Sequence, residues 1–300
     1  MKEINGILNV IKPVDWTSME VVRKLKSLTR QKKIGHAGTL DPQATGILPI
    51  CFGQATRVME YVVDSPKSYE AVVKLGVSTD SYDAEGNITN TEDTSGITEL
   101  DVKNELAKYI GDFGQIPPMY SALKKDGERL YNLARAGKEI IRDPREVTIY
   151  SLKITKCNLP EVSFLVECGK GMYVRSLAHD LGQDLGCGAH LKELKRITSG
   201  PFNLANAISF EEAENACVNG VWENLLFPVD FPLLRFKAAV VKNEKRQAVS
   251  MGQSVYLGLP YNNTSLQDMC RLYSENGIFV ALMGIGKIKG VWKARKVFNL

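Results

Sequence analysis

Residues 35–46 read GHAGTLDPQATG and hold a single acid, Asp41, between a Gly-rich approach and a proline. An Asp before Pro in such a stretch is a turn former that bonds its own backbone. Alternatively it is a carboxylate presented in a cleft, a role that usually needs a cation beside it. A second stretch, GKGMYVRSLAHDLG, places Arg175 at the start of a helix, just after a Gly-Lys-Gly turn. Arginine pairs bidentately with a carboxylate and keeps its proton, so it suits that task better than lysine. Spacing alone does not establish that pairing, and a surface position is the ordinary place for such an arginine.

Other chemistries fit poorly. GTLD looks like the DxxGT loop that forms aspartyl-phosphates, but there the Asp precedes Gly-Thr and here it follows. No GxSxG or P-loop occurs. His36, His179 and His190 lack the Ser or Cys context of a triad. Neither GKG nor GCG is a dinucleotide fingerprint, so no cofactor is expected. The cysteines at 51, 157, 168, 187, 217 and 270 are scattered, with no CxxC pair. CGAH (187–190) has no second ligand pair, so neither a disulfide framework nor a metal is expected.

Elements must position these groups. VDWTSMEVVRKLKSLTR predicts a helix with a Thr17–Glu20 capping box and an apolar stripe of Val21, Val22, Leu25 and Leu28. YEAVVKLGV (69–77) alternates like a half-buried strand, and the turn residues SYDAEGN follow. Residues 98–113 predict a second amphipathic helix, with Val102, Leu106, Tyr109, Ile110 and Phe113 inward. QIPPMYS cannot be helical. EVTIYSLKI and VSFLVECG are strand-like, and a helix near 173–185 turns Val174, Leu177, Ala178, Leu181 and Leu185 inward. Ser209 and Glu212 open another helix, running toward Leu226. The proline-punctuated FPVDFPLL (227–234) is the expected boundary. Beyond it, SVYLG, CRLY and GIFVALMGIG suit a small β domain or barrel. The first 230 or so residues mix strands with separate helices, an α+β pattern.

At 300 residues, with 44% hydrophobic and 24% charged content, the chain is an ordinary globular protein with room for one large and one small domain. The start, MKEINGILNVIKP, is not expected to act as a signal peptide, and no apolar run has the length of a membrane span. A cytoplasmic location without membrane partners is therefore expected. Net charge is only +4, but two stretches are basic and free of acids. One holds Arg23, Lys24, Lys26, Arg30, Lys32 and Lys33; the other holds Lys287, Lys289, Lys293, Arg295 and Lys296. Such islands are solvated faces or the footprint of a polyanion, commonly nucleic acid.

ILNVIKPVDWTS, GHAGTLDPQATGILPICFGQATR, YEAVVKLGVSTDSYDAEG, QIPPMYSALKKDGERLYNLARAG, REVTIYSLKI and GKGMYVRSLAHDLGQDLGCGAHLKELKRITSGPF occur in that order. In these blocks the chain resembles the TruB family of RNA pseudouridine synthases, and the tail from about Phe236 looks like a PUA RNA-binding domain. The resemblance implies a mixed or antiparallel-sheet catalytic domain over 1–232 and a PUA-like domain over 233–300. It implies that Asp41 is the catalytic carboxylate, Arg175 its ion-pair partner and Tyr69 the ring that stacks on the target base. His36 matches a histidine near the flipped-out nucleotide, Leu194 a leucine of the uracil pocket, and Tyr173 the other half of the YVRSL motif. Lys12 and Pro13 belong to the family's KPxGxTS block, which supports the catalytic loop. Lys12 thereby joins His36, Tyr173 and Leu194 in the implied substrate-binding set. Asp15 stands where that block has glycine. Ala37, Gly169 and Met172 also depart from the family's usual residues, which puts loop geometry in question.

The implied reaction breaks the N1–C1′ bond of uridine, turns the uracil and joins C5 to C1′. It needs a carboxylate but no cofactor or metal. The target base must leave its stack at a cost of a few kcal/mol, and stacking on an aromatic ring is worth roughly 1–3 kcal/mol. Without the resemblance, Tyr69 is equally a core aromatic of its strand. The implied partner is tRNA, held through its T-arm and acceptor side by the two basic islands, with a monomeric protein. A guide-RNA-dependent synthase component or a non-catalytic RNA-binding or RNA-folding protein are the alternatives.

Overall fold

A computed structural model describes residues 3–121, 123–125, 127–138, 140–257, 268–286 and 290–300. Its centre is a 10-stranded sheet. Across the sheet run Ile208–Ser209, Gly6–Lys12, Thr45–Phe52, Ala189–Ser199, Lys67–Leu75, Glu161–Cys168, Arg145–Asn158 and Gly111–Gln115. Two short strands, Ile34–His36 and Phe202–Asn203, pair at the side. Pairing is antiparallel except at two places, Val10 and Ile11 with Ile208 and Ser209, and Lys195 and Arg196 with Thr45 and Gly46. The expected mixed α+β architecture is what forms.

Strands Gly6–Lys12 and Thr45–Phe52 are covered on both faces, which is why ILNVI and GILPICF read as almost unbroken apolar runs. Ile7, Ile47 and Cys51 pack on one side, and Leu8, Val10, Leu48 and Ile50 on the other. Helix Ser18–Thr29 covers the second side with Val21, Val22 and Leu25. Burying each such side chain is worth about 1.5–3 kcal/mol. The predicted capping boxes of Thr17–Glu20 and Ser209–Glu212 both form. Helix Val174–Asp184 lays Leu177, Ala178 and Leu181 against Val73, Phe164 and Val166 of the sheet core.

Three predicted spans differ. Helix Glu99–Ala107 stops well short of 113, because Gly111 takes φ +107° and Gly111–Gln115 pairs with Arg145–Ile149 instead. Tyr109 and Phe113 still touch, with ring centroids 5.4 Å apart, so their four-residue spacing mimicked a helix face. Helix Phe210–Val218 ends before Gly220, at φ +71°, and a separate 3-10 turn, Trp222–Leu225, brings Trp222 to 4.9 Å from Phe52. Gly76, at φ +83°, ends the Lys67–Leu75 strand two residues short of Val77.

The tail forms a second, 5-stranded sheet in the order Lys237–Val241, Met269–Ser274, Phe279–Ile285, Val291–Val297 and Val255–Tyr256. It also carries helix Asn243–Ser250, hidden from a pattern reading because only Val249 of its residues is buried. FPVDFPLL is no loose linker. Phe227, Val229, Phe231 and Leu233 pack with Phe202 and with Phe279, Leu282 and Phe298 of the second sheet. The last residues are bound as well. Gln54 and Asn299 exchange side-chain-to-backbone hydrogen bonds, and Lys296 lies 2.7 Å from Glu60. Among the described residues no helix is long and apolar enough to cross a membrane.

Candidate active site

The Asp41 loop is held carbonyl by carbonyl. Arg196 donates to Gly38 O at 3.1 Å and to Thr39 O at 3.4 Å. Ser18 Oγ donates to Leu40 O at 3.1 Å and accepts from Leu40 N at 2.8 Å. Asp41 O accepts from Ala44 N, and Pro42 O accepts from both Lys12 Nζ at 2.9 Å and Asp15 N at 3.0 Å. Five successive carbonyls are thus satisfied, and none is left to re-aim the turn.

Two of these donors are buried cations with no carboxylate contact among the described residues. Arg196 is 1% exposed and also reaches Ile47 O at 2.9 Å; Lys12 is 0% exposed and bonds Pro13 O and Trp16 O, both at 2.6 Å. Burial pushes the Lys12 ammonium down to about 8, with Asp41 the strongest opposing influence. All three Lys12 donors go to carbonyls, so it sits beneath the loop as a clamp. Asp15, the departure from the family's glycine, takes φ +63°. Asp tolerates this left-handed region better than most residues, so the loop keeps a glycine-type bend.

Strand order puts Arg196 there. The parallel step sets Gly46 beside Arg196, so close that a Cβ on Gly46 would lie 2.2 Å from the Arg196 carbonyl oxygen. On the antiparallel side Arg196 is paired with Tyr69. Tyr69 is 8% exposed and packs with Leu40 and Ala44 under the loop. Burial raises its phenol, and Arg196 beside the hydroxyl opposes this. His36 is half-buried at the end of its short strand, pushed toward the neutral form first by burial and then by Arg196.

Arg175 comes from the other side. Its Nη2 donates to Asp41 Oδ1 at 3.1 Å, and its Nε lies 3.0 Å from Asp41 Oδ2 without hydrogen-bond direction. One contact is therefore a bond and the other is coulombic. Nη2 also donates to Tyr120 O at 2.9 Å, and Nη1 to Ser81 O at 3.3 Å. Nη1 stands 3.3 Å from a second carboxylate, Asp83 Oδ2. The Arg175 side chain is 6% exposed, whereas that of Asp41 is 40% exposed and opens to the cleft. Tyr173 caps the Arg175 helix, and Gln115 fixes its backbone by a reciprocal pair, 2.8 Å from Tyr173 N and 3.0 Å to Tyr173 O.

Asp41, Ala44, Asp83, Arg175 and Leu194 line one small cavity, which meets a groove of about 570 Å³ along Gln43, Glu70, Lys192, Glu193 and Lys195. The structure therefore unites Asp41, Arg175 and Leu194 at the cavity, with Tyr69 packed against the loop, His36 on the strand that leads into it and Tyr173 at the helix start. Sequence reasoning missed Asp83, Gln115 and Arg196. The acid in SYDAEG was the one available signal, and it read as turn chemistry. Among the described residues no group of three or more His, Cys, Asp or Glu is placed to hold a metal.

The six basic residues of the 23–33 island are exposed, and Lys24 contacts Glu214 at 2.9 Å. At the other end Lys293 and Arg295 are exposed, but Lys296 is turned inward to Glu60 and lies over the Tyr61 ring, so it is a docking residue. Lys287 and Lys289 lie outside the described residues.

Residues 26–174 match the model of the TruB family pseudouridylate synthase N-terminal domain, and 175–233 match that of the tRNA pseudouridylate synthase B C-terminal domain. The tRNA pseudouridine synthase B of Clostridium tetani is 41% identical over 273 residues, 91% of this chain and 93% of that protein. That of Dehalococcoides mccartyi is 40% identical over 295 residues, 98% of this chain and 97% of its own length. Among solved structures, a Cbf5-Nop10-Gar1 complex contains a chain that aligns with TM-score 0.75 and 26% identity, over 98% of this chain and 85% of that one. With both family models and relatives matched along nearly the whole chain, the protein belongs to the TruB family of pseudouridylate synthases.

Proposed function

We propose that this chain isomerises a uridine of tRNA, the T-loop uridine 55, to pseudouridine, with Asp41 as the carboxylate acting on the target nucleotide. The observation that carries the reading is the Asp41–Arg175 pair. It is fixed at both ends yet open on the cleft side. A guanidinium across both oxygens sets the plane of the carboxylate, so its exposed edge meets an incoming nucleotide in one orientation. Leu194, in the same cavity, supplies apolar surface for a uracil ring. Tyr69 stacks on the base, with His36 near the nucleotide and Tyr173 beside the helix start that presents Arg175.

The reaction rearranges one nucleotide without adding or removing atoms. The N1–C1′ bond breaks, uracil turns, C5 bonds to C1′, and the C5 proton leaves as a proton reaches N1. Because the T-loop base must be splayed out, phosphate contacts from the 23–33 island, with Lys293 and Arg295, hold the T-arm and acceptor side. The protein acts as a monomer in the cytoplasm. Its catalytic part comprises 1–232 and its PUA-like part 233–300, a division supported by the second sheet beginning at Lys237.

The test is tritium release from an unmodified tRNA transcript labelled at uracil C5, with the protein alone. We expect release with the wild type and none above background with Asp41→Ala. Release that survives this substitution removes Asp41 from the mechanism. Arg175→Lys is expected to lower kcat by about 10–100-fold with little change in RNA affinity. Equal loss of turnover and binding would count against a partnership with Asp41.

A further inference from the structure

Between the two groups that meet Arg175 Nη1, the carbonyl of Ser81 and the carboxylate of Asp83, stands Tyr82. Its φ is +66°, a conformation that glycine or asparagine adopts with far less strain than an aromatic residue. A left-handed residue reverses the chain there, and this lets the carbonyl before it and the side chain after it reach one nitrogen. The tyrosine ring lies flat on His179, with centroids 3.8 Å apart and planes 15° from parallel. His179 follows Arg175 by four residues on helix Val174–Asp184, so the two share a helix face. Among the described residues His179 Nδ1 is buried with no hydrogen-bond partner, which leaves the stack on Tyr82 as the contact seen for the ring. Burial, with Arg142 adding to it, favours the neutral imidazole, the form that stacks as a plain aromatic. From its other side the turn is tied to the cleft wall, because Leu191 N donates to Tyr82 O at 2.9 Å.

We propose that the Tyr82–His179 stack is a positioning pair: it clamps the 79–86 turn onto the Arg175 helix and thereby brings Asp83 to the guanidinium that holds Asp41. The pair touches neither Asp41 nor the reacting atoms, so its effect is carried through Arg175. This inference rests on the reading of Asp41 and Arg175 as the reaction centre.

Two measurements test it on the full chain. In tritium-release kinetics, Tyr82→Gly keeps the left-handed backbone free of strain and removes only the ring. We expect kcat to fall about 3- to 10-fold, the scale of one aromatic stack, with KM for tRNA unchanged. His179→Ala should match it, the double variant should be no worse than either single one, and Tyr82→Phe should restore turnover. Wild-type kcat in Tyr82→Gly, multiplying losses in the double variant, or a rise in KM alone would overturn the proposal. The second measurement is a crystal structure of Tyr82→Gly. Loss of the Asp83–Arg175 contact is expected, and its retention overturns the clamp even if the wild type releases no tritium, which would instead sink the reading of the reaction itself.

Discussion

The Asp41 loop is gripped by cations from two sides, and the two sides use charge differently. Behind it, Lys12 and Arg196 are fully buried and direct their donors to backbone carbonyls. Nearby Lys67 follows the same rule, bonding Val63 O and Ser65 O at 2.7 and 2.9 Å, with burial pushing its ammonium down to about 8. In front, Arg175 meets two carboxylates, Asp41 and Asp83. A cation satisfied by carbonyls fixes where the chain goes, because several fixed dipoles converge on one group. A cation facing carboxylates fixes which way a reactive oxygen points. The rear is therefore a matter of stability and the front a matter of turnover.

Substitutions can break this division. The largest effect is expected at the rear. Arg196→Met leaves the carbonyls of Gly38, Thr39 and Ile47 buried without that donor, a loss of about 3–5 kcal/mol in urea unfolding. A loss below about 1 kcal/mol would show that the loop does not depend on it. At the front, Asp83→Asn keeps the shape and removes one charge from Arg175. Here kcat should fall about 10–100-fold, equivalent to about 1.4–2.7 kcal/mol in the barrier, while unfolding stability stays within about 1 kcal/mol. If stability dropped as it does at Arg196, front and rear would not be distinct.

The smallest effect sharpens the contrast through a carboxylate on the Arg175 helix itself. Burial and the neighbouring Asp184 push the Asp180 carboxyl up to about 6. With the folded value above the unfolded one, the folded protein binds more protons between about pH 4 and 6, and stability falls as pH rises through that window. Asp180→Asn removes this dependence. Its melting temperature should match wild type near pH 4 and exceed it by about 1–3 °C above pH 6, the size of a partly screened effect. An equal offset at both pH values would mean that charge is not the cause.

Local patterns were legible where the residues that bury one another are close in the chain. Capping boxes at Thr17 and Ser209 and the alternation of 69–75 are of this kind. The 98–113 span is not one helix because Tyr109 and Phe113 meet at helical spacing while Gly111–Gln115 joins a strand 30 to 38 residues further along. Lys296 reads as part of a basic face, but its partner Glu60 lies 236 positions earlier in the chain. At the site, Asp83 looked like turn chemistry, and in part it is, since Glu85 N donates to its Oδ1 at 3.2 Å. Only the approach of Arg175 gives it a second role.

By itself the sequence determined the family, the α+β class, the aspartate in GTLDP and an arginine suited to pair with it, because these depend on residue identity and short-range order. Tertiary structure alone decided that Arg175 sees two carboxylates, that Arg196 and Lys12 clamp the Asp41 loop from beneath, and that Tyr82 lies on His179. The parallel step at Gly46 and the crossing of helix Val174–Asp184 over the sheet make these neighbours of residues up to about 160 positions apart. No pattern along the chain encodes such contacts, because they exist only once distant strands share one sheet.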